Sequence, residues 1–371
     1  MKGTSSLYRR YAHSFFIFFM IQGLVLVSAS IATAAGCVNW PKAMAISEIA
    51  RMPAQGKVVL VQPFTDFAKV SGDEWLVPGL RDYIADLLRS SDSLRVLAGQ
   101  SAVHSGQVGP PDFTVSGTFQ HIGDKMRIFI RLQDAKSGQL LAQPDAVFPY
   151  PENQEFFSKT AEAVRAAMKV MNVEPDSTRY DAVKDATTST RAYESFAKGR
   201  QALETYSTDK ADVASLLFTD TKRIDYKSPL GYEGLIALYS FLALDKKERG
   251  GNYSSELQKA EAELVQMQKL TKPGSLVFAY TPKKAVKKIE FKAKLDNRFL
   301  AGEAAYAEGL AVAQGGDFKA AVIALRKAVQ LVPEDALAWY NLSRIESQLG
   351  NAQQSQEARQ KAYELNPCIE K

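Results

Sequence analysis

Ala328-Val329-Gln330-Leu331-Val332-Pro333 recurs as Ala362-Tyr363-Glu364-Leu365-Asn366-Pro367, 34 residues further along the chain. Gly316-Asp317 returns as Gly350-Asn351 at the same interval. Self-similarity at this period marks stacked helix–turn–helix units rather than one compact enzyme core. A single unit of this kind cannot bury its apolar face alone. Units therefore stack, and the stack leaves a groove suited to another polypeptide.

Two units stand out, one from about Gly302 to Asp335 and one from Ala336 onward. The first carries Gly309, Ala321, Ala328 and Pro333, and the second carries Trp339, Leu342, Ala362 and Pro367. These residues resemble the pattern of tetratricopeptide repeats. Small residues are needed where paired helices cross closely, and Trp339 is placed to fill the gap between successive units. The resemblance implies that Tyr306, Leu310, Tyr340 and Arg344, on the inner helices, line a partner-binding groove. Tyrosine and arginine are favoured hot-spot types. Inter-repeat packing is the competing reading of the tyrosines. Upstream, residues 191–273 read as degenerate helix pairs in which Gly199, Gly234 and Pro273 echo the repeat. Residues 274–300 form a basic connecting segment with Lys283, Lys284, Lys287, Lys288, Lys292 and Lys294. They read either as a solvated helix face or as a basic amphipathic helix for an acidic partner or anionic lipid.

Before the repeats the pattern changes. Lys57-Val58-Val59-Leu60-Val61-Gln62 is an apolar run stopped by Pro63, and it predicts a buried strand. Leu76, Leu80, Tyr83, Ile84, Leu87 and Leu88 have helical spacing, and Leu94-Arg95-Val96-Leu97 reads as a second strand. Strand, helix, strand predicts a right-handed parallel crossover. Phe113, Val115, Gly117 and Phe119 alternate with Thr114, Ser116 and Thr118. Met126, Ile128, Ile130 and Leu132 alternate in the same way around Gly123-Asp124, so the pair predicts a hairpin. Residues 140–148 add an edge strand containing Pro144. Phe156, Thr160, Ala163, Val164 and Ala167 mark a closing helix. The expected fold is thus a mixed-sheet α/β sandwich domain over 57–175, a linker at 176–190, and an all-α repeat array reaching to residue 368.

The run Val58 to Phe64 resembles the opening strand of the TolB-like amino-terminal domain. Gly79-Leu80, Phe113 to Gly117, and Asp124 to Gly138 extend the resemblance, although Ala142 stands where many relatives carry Trp. Related folds occur in FlgO-type flagellar lipoproteins and CsgG-type curli secretion proteins. The resemblance implies an envelope role, often with tetratricopeptide repeats following.

The first 36 residues have the order of a secretory signal peptide: Lys2, Arg9 and Arg10, then an apolar run from Phe15 to Val27, then small residues through Ala35. Ala34-Ala35-Gly36-Cys37 resembles a bacterial lipobox, implying lipidation of Cys37, an N-terminal tether over 37–56 and an outer-membrane anchor. Three fates are open to Cys37: a lipid anchor, a disulfide with Cys368, or a free thiol. The formal charge of +5 owes three units to Lys2, Arg9 and Arg10, so the rest of the chain gives no electrostatic argument for nucleic acid.

Catalytic patterns are missing. The histidines are His13, His104 and His121, and no HExxH or CxxC spacing, phosphate-binding glycine loop or GxSxG elbow occurs. Ser195-x-x-Lys198 and Ser207-x-x-Lys210 have Ser–Lys spacing but lack a KTG partner. Asp66, Asp73 and Glu74 follow the first strand as a solvated loop or a ligand site. No enzyme, cofactor or metal is expected. The expected function is an exported adaptor that binds protein partners of the cell envelope. The rivals are a CsgG-like secretion channel and small-ligand binding by the α/β domain. Oligomeric state stays open.

Overall fold

The computed structural model describes residues 42–43, 48–49, 52–103, 108–151, 155–271, 297–367 and 369. The signal sequence, Cys37, Cys368, His104, Pro273 and the lysine-rich segment lie outside them. The described residues fall into two compact units, one of residues 42–238 with 263–271 and one of 239–262 with 297–369.

In the first unit the sheet strands are β1 (Lys57–Val61), β2 (Thr65–Asp66), β3 (Leu94–Leu97), β4 (Phe113–Ile122), β5 (Lys125–Asp134), β6 (Leu140–Ala142) and β7 (Asp145–Pro149). The order is β3-β1-β4-β5-β6, with β2 beside β4 and β7 beside β5. β1 is parallel to β3 and β4, and β4–β5 is the expected antiparallel hairpin, with Ile122 opposite Lys125. The expected third strand is divided into β6 and β7. Pro144 sits between them and cannot donate to the ladder, yet its carbonyl still accepts from the Ile130 N–H at 2.9 Å.

Helices α1 (Leu76–Leu88) and α3 (Glu155–Val170) supply the apolar cover, and a short α2 (Gly99–Val103) follows β3. Alternation puts Val115 and Phe119 of β4, Met126, Ile128, Ile130 and Leu132 of β5, and Phe148 of β7 on the buried face. Gly117 belongs to this face because it lies against Phe64. A Cβ there would stand 2.1 Å from the Phe129 carbonyl oxygen and 2.2 Å from the Phe64 ring.

Two stretches read as connectors are structured. Residues 176–190, expected as a linker, carry α4 (Ser177–Lys184), capped by the Asp176 carboxylate on the Arg179 N–H. Tyr180 of α4 is buried and donates its hydroxyl to the Ala161 carbonyl, and burial pushes its pKa up to about 12. The spacing of apolar residues in so short a helix is too sparse to announce it. Within the expected tether, Ile49 and Met52 pack against Val58, Leu97 and Val108.

Helices α5 (Thr190–Glu204) and α6 (Ala211–Ile224) belong to this unit. Tyr193 of α5 donates to the Gly79 carbonyl at 3.0 Å and joins an aromatic cluster with Trp75, Tyr83, Phe156 and Phe157. Gly199 and Gly234 both abut the ring of buried Phe218: a Cβ on either would come within 2.6 Å or less of it. Their role here is close helix packing around Phe218.

The second unit contains the distal part of α7 (Leu230–Glu248), the proximal part of α8 (Ser254–Leu270), and α9 (Asn297–Gln314), α10 (Phe318–Leu331), α11 (Ala336–Gln348) and α12 (Ala352–Leu365). No helix among the described residues is long and apolar enough to cross a membrane.

Candidate protein-interaction face of the helical repeats

The four C-terminal helices form two antiparallel pairs, α9–α10 and α11–α12. Each pair is closed by a glycine in the left-handed region, Gly316 (φ 85°) and Gly350 (φ 77°), which ends the first helix of the pair. Asp317 then caps α10 through the Ala320 N–H at 3.0 Å, and Asp335 caps α11 through the Ala338 N–H at 2.9 Å. The 34-residue repeat in sequence is therefore a repeat of the stop signal, whereas Asn351, in the place of Asp317, makes no side-chain cap.

Small residues sit where the pairs cross. A Cβ on Gly309 would lie 2.7 Å from Leu325 Cγ. Ala321, Ala328, Leu342 and Ala362 are buried, and Leu325, Ala328, Leu342 and Ala358 share one apolar cluster. Trp339 packs against this cluster and against a second one of Ala336, Ala362 and Ile369. Its indole N–H donates to the Pro333 carbonyl at 2.9 Å, so the helix-ending proline also receives the gap-filling tryptophan. Pro333 and Pro367 are exposed. Arg326 of α10 binds Glu346 of α11 at 2.6 Å, and Asn351 donates to the other Glu346 oxygen at 2.7 Å. The Glu346 carboxylate is thereby held on both oxygens despite deep burial.

The four residues expected to line the groove separate. Tyr306 is 8% exposed, its hydroxyl accepts from Asn341 Nδ2 at 2.8 Å, and burial raises its pKa. It is an inter-repeat packing residue here, not an open groove residue, since it belongs to the apolar cluster shared by α9, α10 and α11. Lys246 Nζ of α7 lies 6.0 Å from the Tyr306 ring centre. Leu310 is half-buried against the apolar cluster. Tyr340 is half-buried beside Tyr363 and Ile369, whereas Arg344 is exposed with its guanidinium 6.0 Å from the Tyr340 ring. Tyr340 and Arg344 thus form a surface pair on α11.

Sequence reading missed a polar seat beside Tyr306. Lys246 Nζ contacts Glu303 Oε1 at 2.5 Å and Glu256 Oε1 at 3.0 Å. Asp335 Oδ2 accepts from the Asn252 N–H at 3.1 Å. Burial pushes the Glu303 and Asp335 carboxyls above the usual range. Lys246 is raised too: burial works against its charge, and Glu256 and Glu303 overcome that. No pattern could have gathered these residues, since they come from three separate stretches.

In the other unit, the loop after β1 uses its carboxylates internally. Asp66 accepts from the Ala68 and Val70 N–H groups, and Glu74 accepts from Gly72. Asp73 binds His121 through one oxygen and the Tyr150 hydroxyl, at 2.9 Å, through the other. Lys198 pairs with Glu194 and Ser195 faces Asp220, while the Ser207 hydroxyl accepts from the Asp209 N–H. Among the described residues no group of three or more His, Cys, Asp or Glu side chains could hold a metal ion.

Residues 336–367 match the family model described as a tetratricopeptide repeat. No curated protein sequence gives a significant match. Among solved structures, the chain is similar to a dodecamer of a PelC point variant from Paraburkholderia phytofirmans, at 13% identity and a TM-score of 0.22. That match covers 32% of this chain and 88% of the other. The α11–α12 pair is therefore a tetratricopeptide repeat. Repeats of this kind are protein-interaction units, which makes protein partners the expected ligands.

Proposed function

We propose that the chain is an exported adaptor that binds a protein partner of the cell envelope through the inner face of its tetratricopeptide helices. The observation that carries this reading is the exposed Arg344 over half-buried Tyr340 on the first helix of the repeat. An aromatic platform with an adjacent guanidinium is the chemistry that dominates interface hot spots. Export rests on the signal-like first 36 residues and the lipobox-like Ala34-Ala35-Gly36-Cys37. A TolB-like platform and an outer-membrane anchor complete the reading. The α/β domain would serve as that platform, since its buried face is filled by its own helices.

The experiment is photo-crosslinking in the native cell from a crosslinking residue at position 340, with capture identified by mass spectrometry. One dominant envelope protein, lost when Arg344→Ala is added to the same crosslinking chain with fold and export intact, is expected. Capture of nothing above background from folded, exported protein would remove the adaptor reading.

A further inference from the structure

One part of the inner face, around Tyr306 and the N-terminal end of α11, is occupied by part of the same chain. The turn between α7 and α8 meets the N-terminal end of α11 through backbone groups: the Ala336 N–H donates to the Gly250 carbonyl at 2.7 Å. The next contacts bracket it. The Asn252 N–H donates to Asp335, and Asn366 Nδ2 donates to the Glu248 carbonyl at 2.7 Å. Gly250 (φ 68°) lies so close that its Cβ would stand 2.9 Å from Ala336 Cβ, and a Cβ on Gly251 would stand 3.4 Å from Leu337 Cβ.

The charge balance of the seat is uneven. Glu256, Glu303 and Asp335 are three carboxylates; Lys246 pairs with Glu256 and Glu303, while Asp335 accepts from the Ala338 and Asn252 N–H groups. Glu256 Oε2 is buried without a hydrogen-bond partner. A buried acceptor left unsatisfied costs the desolvation of that group. Glu256 is on α8 and moves with the tip, so the carboxylates that stay on the repeats are Glu303 and Asp335.

We infer that the α7–α8 tip is an intramolecular ligand covering the inner face around Tyr306 and the start of α11, and that the partner displacing it presents a basic segment to Glu303 and Asp335. This inference deepens the adaptor reading and rests on it. A displacing segment needs a lysine or arginine in the place of Lys246, then a backbone carbonyl and N–H in the places of Gly250 and Asn252. One that brings a second cation would also neutralise the charge that Lys246 leaves over. Closure by the tip then restricts binding to basic partners, since a neutral segment cannot replace the Lys246 ion pairs.

The test uses the full chain and, as probe, a fluorescent peptide of residues 243–254 read by anisotropy. Lys246→Ala removes the cation of the seat, so the tip should lift. Exchange of the Ala336 amide should speed up, and the peptide should bind at least tenfold tighter than to the wild type. A control peptide with glutamate in place of Lys246 should not bind. Faster Ala336 exchange without tighter peptide binding would overturn the inference, as would unchanged exchange. Should the variant fail to fold, Gly251→Cys/Leu337→Cys in a Cys37→Ser/Cys368→Ser background decides the matter. The spacing is close to the roughly 3.5–4.5 Å Cβ separation of a disulfide. Its reduced form should bind the peptide at least tenfold tighter than its oxidised form, and equal binding would refute the tip as occupant. Failed capture from position 340 in cells would instead count against the adaptor reading, since that site lies on α11, outside the tip.

Discussion

Asn341 of α11 donates its side-chain amide to the Tyr306 hydroxyl of α9 at 2.8 Å, and the same amide donates to the Leu337 carbonyl at 3.1 Å. The first helices of successive pairs are thus tied by a side-chain bond with a backbone reserve. Tyr306→Phe removes one acceptor but leaves Asn341 partnered by Leu337, so the loss should be only about 1 kcal/mol. Tyr306→Ala vacates a buried ring and should cost about 3–5 kcal/mol. Urea unfolding of both variants checks this. A Tyr306→Phe loss as large as that of Tyr306→Ala would show that the hydroxyl, not the ring, sustains the contact.

Gly117 offers a sharper case, because both the backbone and an aromatic ring occupy the space a side chain would need. The Phe129 carbonyl oxygen cannot move without breaking the β4–β5 ladder, in which Gly117 faces Ile130. Gly117→Ala should therefore cost more than the roughly 1–3 kcal/mol of ordinary overpacking. Pairing it with Phe64→Ala should recover only part of the loss, since the carbonyl contact remains. Thermal unfolding of the single and double variants separates the two contributions.

The ion network between α1 and α5 should be costly to break from one side. Arg200 binds Asp86 at 2.7 Å and Asp82 at 3.5 Å, while Arg81 and Arg89 share the same carboxylates. Burial works against the Arg200 charge, but Asp82 and Asp86 overcome it and its pKa is raised well above the ordinary value. Arg200→Ala would leave both buried carboxylates short of charge, at a cost of about 3 kcal/mol. Arg200→Lys should be intermediate, because an ammonium cannot span two carboxylates as the guanidinium fork does. Chemical denaturation reads both. An Arg200→Ala loss below about 1 kcal/mol would mean that Arg81 and Arg89 suffice.

These elements differ in how much their residues announced them. The β4–β5 hairpin was legible because alternation at period two needs no distant partner, and Gly123-Asp124 supplied the turn. The α9–α12 pairs were legible because Gly316, Asp317, Gly350 and Pro333 act within a few residues of where they stand. What stayed hidden depends on residues far apart. Tyr306 has the pattern of a groove residue but is packed in the inter-repeat cluster and bonded to Asn341, with Lys246, 60 positions earlier, beside its ring. Asp73, His121 and Tyr150 meet through strand order, which no local spacing encodes. Tyr180 is similar: a short helix is stabilised by one buried ring whose partner, Ala161, lies on another element.

The seat of the α7–α8 tip should also respond to pH, with a sign fixed by its carboxylates. Burial raises the Glu303 and Asp335 pKa values above their unfolded ones, so the closed state takes up protons. Closure is then strongest at mildly acidic pH and weakens as pH rises from the ordinary carboxylate range through the raised values. Lys246 does not reverse the sign. Its pKa is also raised, and its contribution persists until pH passes the usual lysine range. Among the described residues, Glu256, which binds the same ammonium, and Tyr306 also face the seat. Hydrogen exchange of the Ala336 amide, corrected for the intrinsic pH dependence of exchange, should show greater protection near pH 5 than near pH 8. Glu303→Gln keeps the shape, removes one titrating group and should flatten that dependence. Protection that instead grows toward pH 8 would mean that the ion pair with Lys246 outweighs the burial of the carboxylates, and the seat would be a stable lock rather than a strained one.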